Sequence, residues 1–469
     1  MTDIKKIIEE VKKIDKEYHY FNVISEELAL GQAKELGIEP KGRLNGMVVS
    51  VKDCICVEGI ESRAGSKILN GYKPVFDATV IEKIKKEGAI IIGKTSQDEF
   101  GFGGFSVNMG LGFKIPLNPF DKERACGGSS GGSAGISQKA SFPHVSLAES
   151  TGGSIVNPAS FCGVVGLCPT YGRVSRYGLI DYANSLDKIG PMGKSVKDVA
   201  LMLEVIAGFD KNESTTINAP VDMSEIQRIS EHAQKPLVFD KYTDFVGKEI
   251  KGMKIGIIKE AFGEGTEKGV KEKVKDGISI LEKNGAKTEE ISLQLTNKYG
   301  IACYYLIAMS EASTNLAKYC GMRYGAHEKL EGSFNEYFSK VRSENFGEEA
   351  KRRIILGTFA RMAGYRDAYY IKAMKVRTKI IEEYKKAFKK FDALVSPTMP
   401  IVAPKFSEIE KLTPLQNYMM DILTVGPNLA GLPHITVPVK KDKMPIGLML
   451  MGDHLEEKKI IQLGSVLEK

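Results

Sequence analysis

Tryptophan is absent from this 469-residue sequence, histidine occurs only six times and cysteine seven. Scarce histidine leaves few imidazoles for metal binding or general-base chemistry. The cysteines (Cys54, Cys56, Cys126, Cys162, Cys168, Cys303 and Cys320) are odd in number and form no CxxC pair. That argues against a structural zinc site or a disulfide framework and for reduced thiols in a cytoplasmic protein. No apolar run reaches the ~18–20 residues of a membrane span, so no membrane role is expected. The opening MTDIKKIIEEVKKIDKEY is charged throughout, unlike a signal peptide. The net charge of +7 is mild, and its two signs are interleaved. A solvated surface follows, not a nucleic-acid-reading face. GKTS at 93–96 is set aside as a phosphate loop for want of a loop glycine upstream, so no nucleotide site is expected in this chain.

What is present reads as a soluble α/β protein. Ile4, Ile7, Ile8, Val11 and Ile14 lie at helical spacing. GMVVSVKD is a buried strand, DATVIEKIKKEG a helix and AIIIGK another strand. VSLA, GVVGL, MKIGII, ALVSP, HITVPV and PIGLMLMG read as further strands. SVKDVALMLEVIAGFD is a helix capped by Ser195, with Asp198 three residues on. Long helical stretches cover roughly 265–285, 298–320 and 346–390. The expectation is one large domain over 1–469, with a mixed, largely parallel twisted sheet covered by helices on both faces. Within it, 1–40 is an N-terminal helical segment, 211–250 a surface excursion and 295–390 a helical insertion. Two domains with a break near 210–250 are the alternative.

Glycine and serine crowd residues 101–135, closing in CGGSSGGSAG, and return as STGGSI after VSLA. Apolar strands flank both segments closely, which disfavours a flexible linker. An active site built from backbone needs a nucleophile, a base and oxyanion donors. Thr151-Gly152-Gly153-Ser154 resembles an oxyanion hole, because two glycines let successive N–H groups converge on one point. His144 stands at a strand start and reads as structural. Lys52 ends the apolar strand GMVVSV, so its amine is carried inward, where burial makes a lysine a usable base.

CGGSSGGSAG, STGGSIVNPASFCGVVGLCPTYG and the preceding VSVKD together resemble the amidase signature family. The signature covers roughly 125–170, and the wider likeness runs from about residue 40 to the C-terminus. By that resemblance Ser154 is the nucleophile, Ser129 a bridging serine on a cis peptide, and Lys52 the base. Thr151, Gly152 and Gly153 match the oxyanion loop.

YGRVSRYGLIDYANSLDKIGPM, KRRIILGTFARMAGYRDAYYIKAMKVRT and YMMDILTVGPNLAGLPHITVP are similar to the family's glutaminase subunits of tRNA-dependent amidotransferases. The resemblance implies hydrolysis of glutamine to glutamate and ammonia. A partner subunit of the B and C type assembly then uses the ammonia to amidate Glu-tRNA(Gln) or Asp-tRNA(Asn). ATP and Mg, like most of the tRNA contact, belong to that partner, and no cofactor is implied in this chain. Arg353 matches the clamp for the glutamine carboxylate. Asp421 matches the acceptor of its ammonium, and Tyr304 a further substrate contact. A stand-alone amidase of other carboxamides and a catalytically weakened scaffold are the alternatives.

Two positions beside the nucleophile depart from the family: Ser150 stands for its Asp and Val156 for its Arg. Paired loss avoids a stranded buried charge, so the exchange is expected to be compensated. Pro143 and His144 also replace part of the family's small-residue run.

Overall fold

The computed structural model describes residues 3–39, 41–217, 241–439 and 443–468. One sheet of 11 strands organises the chain, in the order β1-β3-β2-β4-β6-β5-β10-β11-β9-β7-β8. The first six strands are β1 (Phe21–Ile24), β2 (Val48–Lys52), β3 (Ile90–Thr95), β4 (His144–Ser150), β5 (Val165–Cys168) and β6 (Lys188–Gly193). The others are β7 (Lys254–Ile258), β8 (Lys287–Ile291), β9 (Ala393–Pro397), β10 (His434–Val439) and β11 (Ile446–Met451).

The α/β class and the mixed sheet agree with the expectation, whereas the weighting toward parallel strands does not. Parallel pairing is confined to the two wings, β3–β2–β4 and β9–β7–β8. The middle of the sheet is antiparallel, from β4 through β6, β5, β10 and β11 to β9. Buried strands in either arrangement are continuous apolar runs, so direction is not written in their periodicity. β1, β6 and β8 carry no such run and were not expected. The part of the 211–250 excursion at 218–240 lies outside the described residues.

Helices cover the sheet. The opening helix, Ile4–Tyr18, buries Ile4, Ile7, Ile8 and Val11. Ser195 caps Val196–Ile206 by accepting from the Asp198 N–H at 3.1 Å. The long helical stretches resolve into Lys268–Lys283, Gln294–Asn315, Glu348–Arg361 and Lys372–Phe388, and Phe334–Asn345 is a further helix between them.

The glycine-serine segment behaves differently from a loop, because a helix, Gly131–Lys139, begins inside it. Glycine is a poor helix former. Packing overrides that preference here: a Cβ at Gly132 would meet the Tyr20 carbonyl at 2.5 Å, and one at Gly135 would strike the Tyr20 ring.

Candidate active site

Parallel pairing puts β2 and β4 side by side with their C-terminal ends on the same edge, with Val51 level with Leu147. Ligand crevices in α/β sheets lie outside such ends. Lys52 is the last residue of β2 and is fully buried. Its Nζ donates to Ser129 Oγ at 2.7 Å, to the Glu149 carbonyl at 2.9 Å and to Glu149 Oε2 at 2.8 Å. Three partners use the three donors of an ammonium. Ser129 lies on a cis peptide after Gly128 and is also fully buried. Ser130 Oγ donates to the Glu149 carbonyl at 3.2 Å, which ties the serine turn to the end of β4.

The turn is braced from behind by Asp98. Its N–H donates to the Ser129 carbonyl at 3.2 Å, and its carboxylate accepts from the N–H groups of Ser106 and Asn108. Burial pushes the Asp98 carboxyl up to about 6 against those bonds.

Ser154 follows the Gly152-Gly153 pair and leads into the helix Val156–Cys162. No hydrogen bond joins its hydroxyl to Ser129 among the described residues. At 6% exposure it is the most open of the three, against 0% for Lys52 and Ser129. The glycines before it are sterically required. A Cβ at Gly152 would lie 2.8 Å from the Tyr304 ring end, and one at Gly153 would collide with Asn157 and Thr424. Tyr304 therefore walls the loop.

Continuing the β4–β6 register one step past Ser150↔Lys188 sets Thr151 opposite Asp187. Thr151 Oγ1 stands 2.8 Å from Glu149 Oε1 and 2.8 Å from Asp187 Oδ1. Asp187 also accepts from the N–H groups of Tyr182 and Ala183. Burial, then the Glu149 charge, drive its carboxyl well above the usual range despite those bonds.

Arg353 is buried, not a surface helix charge beside Lys351 and Arg352. Its Nε donates to Glu349 Oε1 at 2.8 Å and its Nη1 to the Tyr182 hydroxyl at 2.6 Å. The rings of Phe102, Tyr182, Tyr305 and Tyr418 surround the guanidinium. Asp421 accepts from Asn157 at 2.9 Å and from the Tyr305 hydroxyl at 2.6 Å. Asn157 sits in the helix after Ser154, so Asp421 is tethered to the segment that follows Ser154. Tyr305 joins the two charges, touching Arg353 with its ring and Asp421 with its hydroxyl. Burial pushes the Asp421 carboxyl up, and the Tyr304 hydroxyl well up.

Glu149, Asp187, Tyr182, Tyr305, Asn157 and Glu349 were not singled out from the sequence. Glu149 left a signal: the one acidic residue of the buried strand that runs into TGGS. Ser150 and Val156 are both fully buried, and Ser150 Oγ accepts from Asn428 Nδ2 at 3.3 Å. Among the described residues no His, Cys, Asp and Glu grouping could hold a metal ion.

The whole chain, and not only this site, is similar to known proteins. The family described as amidase matches residues 4–461, and the chain belongs to it. The chain is 46% identical to the A subunit of glutamyl-tRNA(Gln) amidotransferase from Koribacter versatilis, covering 97% of this chain and 91% of that one. Its likeness to the protein of the same name from Methanococcoides burtonii is 46%, over 92% and 86%. Among solved structures, the corresponding A subunit from Thermotoga maritima superposes with TM-score 0.77 at 35% identity, covering 98% of this chain and 89% of that one. The peptide amidase of Stenotrophomonas maltophilia gives 0.78 at 26%, over 99% and 92%.

Proposed function

We propose that this chain is the glutaminase subunit of a tRNA-dependent amidotransferase. The observation that carries the chemistry is the 2.7 Å contact between Lys52 Nζ and Ser129 Oγ in a fully buried setting. Near-full-length similarity to amidotransferase A subunits carries the choice of substrate.

In this reading neutral Lys52 takes the Ser129 proton as Ser129 takes that of Ser154. Ser154 Oγ then attacks the carboxamide carbon of glutamine. Backbone N–H groups of Thr151, Gly152 and Gly153 hold the oxyanion, where one donor contributes about 3 kcal/mol. The relay returns its proton to the leaving nitrogen, which departs as ammonia. Water then hydrolyses the acyl-enzyme along the same relay, releasing glutamate. Glutamine carries one charge of each sign beside its side chain. Arg353 supplies the cation for its carboxylate and Asp421 the anion for its ammonium. Tyr304 packs on the loop between them and the nucleophile. Ammonia passes to a partner subunit, which also supplies ATP, Mg and most of the tRNA contact. A cytoplasmic location fits that role, and no helix among the described residues is long and apolar enough to cross a membrane.

Glutamate release by the chain, alone and with B- and C-type partner subunits, tests the reading. Activity that rises with the partners is expected, as is labelling of Ser154 by a diazo-ketone analogue of glutamine. Hydrolysis of other carboxamides without glutamine turnover would instead favour a stand-alone amidase. A folded protein that is never labelled would be a scaffold.

A further inference from the structure

Thr151 Oγ1 makes two contacts that both require a proton, one to Glu149 Oε1 and one to Asp187 Oδ1, each 2.8 Å. The threonine hydroxyl has a single proton to donate. Two ionised carboxylates would therefore leave one of these contacts as bare oxygen against oxygen, in a dry interior. Both carboxylates are buried, at 3% and 1% exposure. The second proton must sit on one of the two carboxyls. The upward drive on Asp187 from burial and from Glu149 agrees with that count.

The other oxygen of Glu149 is the one that meets Lys52, at 2.8 Å. The state of the pair therefore decides what Lys52 faces. With the proton on Asp187, Glu149 is an anion and holds Lys52 as an ammonium. With the proton on Glu149, the neighbour is neutral.

We infer that Glu149 and Asp187 share one acid proton through the Thr151 hydroxyl, and that its transfer to Glu149 releases Lys52 to act as a base. The inference rests on the reading of Lys52 as the base of the relay. In the transfer, Asp187 Oδ1 gives its proton to Thr151 Oγ1 as Thr151 gives its own to Glu149 Oε1. No net charge moves into or out of the cluster. Lys52 then loses one ammonium proton to solvent along the Ser129 hydroxyl, and the negative charge that remains rests on Asp187. The neutral amine keeps two N–H bonds, to the Glu149 carbonyl and to Oε2. Its lone pair is left facing Ser129, the one partner that has a proton to give. Glu149 and Asp187 are thus positioning residues that act through Lys52. Other groups that feel the cluster are Asp98 and Cys54 around Lys52, Cys168 and Lys188 beyond Glu149, and Arg176 and Tyr171 around Asp187.

The test is the pH dependence of Ser154 modification by phenylmethanesulfonyl fluoride, read by mass spectrometry on the full chain. This reagent reports serine activation whatever amide the protein cleaves. Glu149→Gln removes the anion beside Lys52, so the acid limb moves to lower pH. Asp187→Asn leaves the charge fixed on Glu149, so the limb moves to higher pH. Each shift is expected on the order of one pH unit, about tenfold in rate on the limb. Thr151→Val, nearly isosteric, cuts the relay and moves the limb the same way as Asp187→Asn. An unmoved limb in Asp187→Asn, or two acidic variants shifting in the same direction, overturns the inference. So does a wild-type Ser154 that never reacts, which removes the base reading as well. The infrared difference between wild type and Asp187→Asn offers an independent check, since a shared acid proton gives the wild type alone an extra carbonyl stretch that shifts in D2O. Its absence likewise overturns the shared proton. A protein with no glutaminase activity but with opposite shifts keeps the inference and loses only the substrate assignment.

Discussion

Two buried lysines lie on neighbouring strands, and their surroundings differ in one respect. Lys52 on β2 and Lys94 on β3 are both fully buried, with Lys94 level with Val51 across the parallel pair. Lys94 Nζ donates to the carbonyls of Ile55 at 2.6 Å and Asp53 at 3.2 Å, and to Ser62 Oγ at 2.7 Å. Ser62 in turn donates to the Ile60 carbonyl at 3.2 Å, so its proton is committed to backbone. The Asp53 carboxylate stands off at 3.8 Å and accepts from Asn22, Arg63 and Gly65. Burial lowers the Lys94 amine, and Asp53 opposes the shift. Lys52 instead meets a hydroxyl on a glycine-rich turn and a carboxylate linked to a second one. Burial alone does not make a lysine a base. The lysine needs neighbours that can give and take protons, and of these two only Lys52 has them.

The contrast predicts different losses at the two sites. Lys52→Met should lower amide hydrolysis on the order of 10⁴-fold or more, far beyond the stability cost of leaving buried Glu149 without its partner. Lys94→Met should instead cost about 3 kcal/mol of stability, because it breaks a buried charge contact and leaves the Ile55 carbonyl without its donor. Urea unfolding beside steady-state kinetics reads both. A stable Lys94→Met protein with no activity would break the comparison.

A third buried base extends it. His144 starts β4, the strand that ends beside Glu149, and its Nε2 lies 3.1 Å from Ser50 Oγ. Its Nδ1 has no partner among the described residues, and burial pulls the imidazole from 6.5 down to about 3. A folded-state value below the unfolded one gives stability that is present above pH 6.5 and lost as the pH falls toward 3. His434 is lowered in the same sense. His144→Gln should lose less stability than wild type between pH 7 and pH 4, by on the order of 2–3 kcal/mol. Activity at pH 7 should barely change, because His144, like Lys94, has no carboxylate within hydrogen-bond reach among the described residues. Equal acid losses in the two proteins would remove His144 from the set.

The nucleophile loop offers a smaller effect. Gly152→Ala places a methyl 2.8 Å from the Tyr304 ring end, in a wall that is itself buried. Displacing the loop by a fraction of an ångström should lower kcat about 100-fold, with stability changing much less. A Gly152→Ala protein with wild-type kcat would show that Tyr304 yields and does not set the loop.

Much of this site was legible in the chain because it is built from short segments with strong local character. VSVKD ends an apolar strand, and the two glycine-serine runs flank another, so Lys52 and the TGGS loop stood out as candidates locally, while the choice of Ser129 came from the family resemblance. Lys94 shows the limit of spacing. Gly88 does stand at the phosphate-loop distance from Gly93, Lys94 and Thr95, contrary to the expectation. Yet the residues between form β3, and Lys94 spends its donors on backbone, so no phosphate cradle exists. What sequence could not give was contact across distance. Glu149 meets Lys52 only through the parallel register of β2 with β4. Asp187 meets Thr151 only through the antiparallel register with β6. Strand direction and register are tertiary facts that apolar runs do not encode.

Ser150 and Val156 stand where the resemblance implies Asp and Arg. If those two residues normally pair, Ser150→Asp alone should destabilise the protein more than Ser150→Asp with Val156→Arg. The coupling expected in a double-mutant cycle by urea unfolding is on the order of 1 kcal/mol. The structure also supplies a rival partner. Ser150 is in register with Lys188, whose buried Nζ now donates to the Leu432 carbonyl at 3.0 Å. If Lys188 turned to a new carboxylate at 150, the single change would be tolerated and the cycle would be additive. Additivity would discard the Asp–Arg pairing. It would also sharpen the contrast between the lysines, because Lys188 would then be a third buried amine whose role follows from the acid placed next to it.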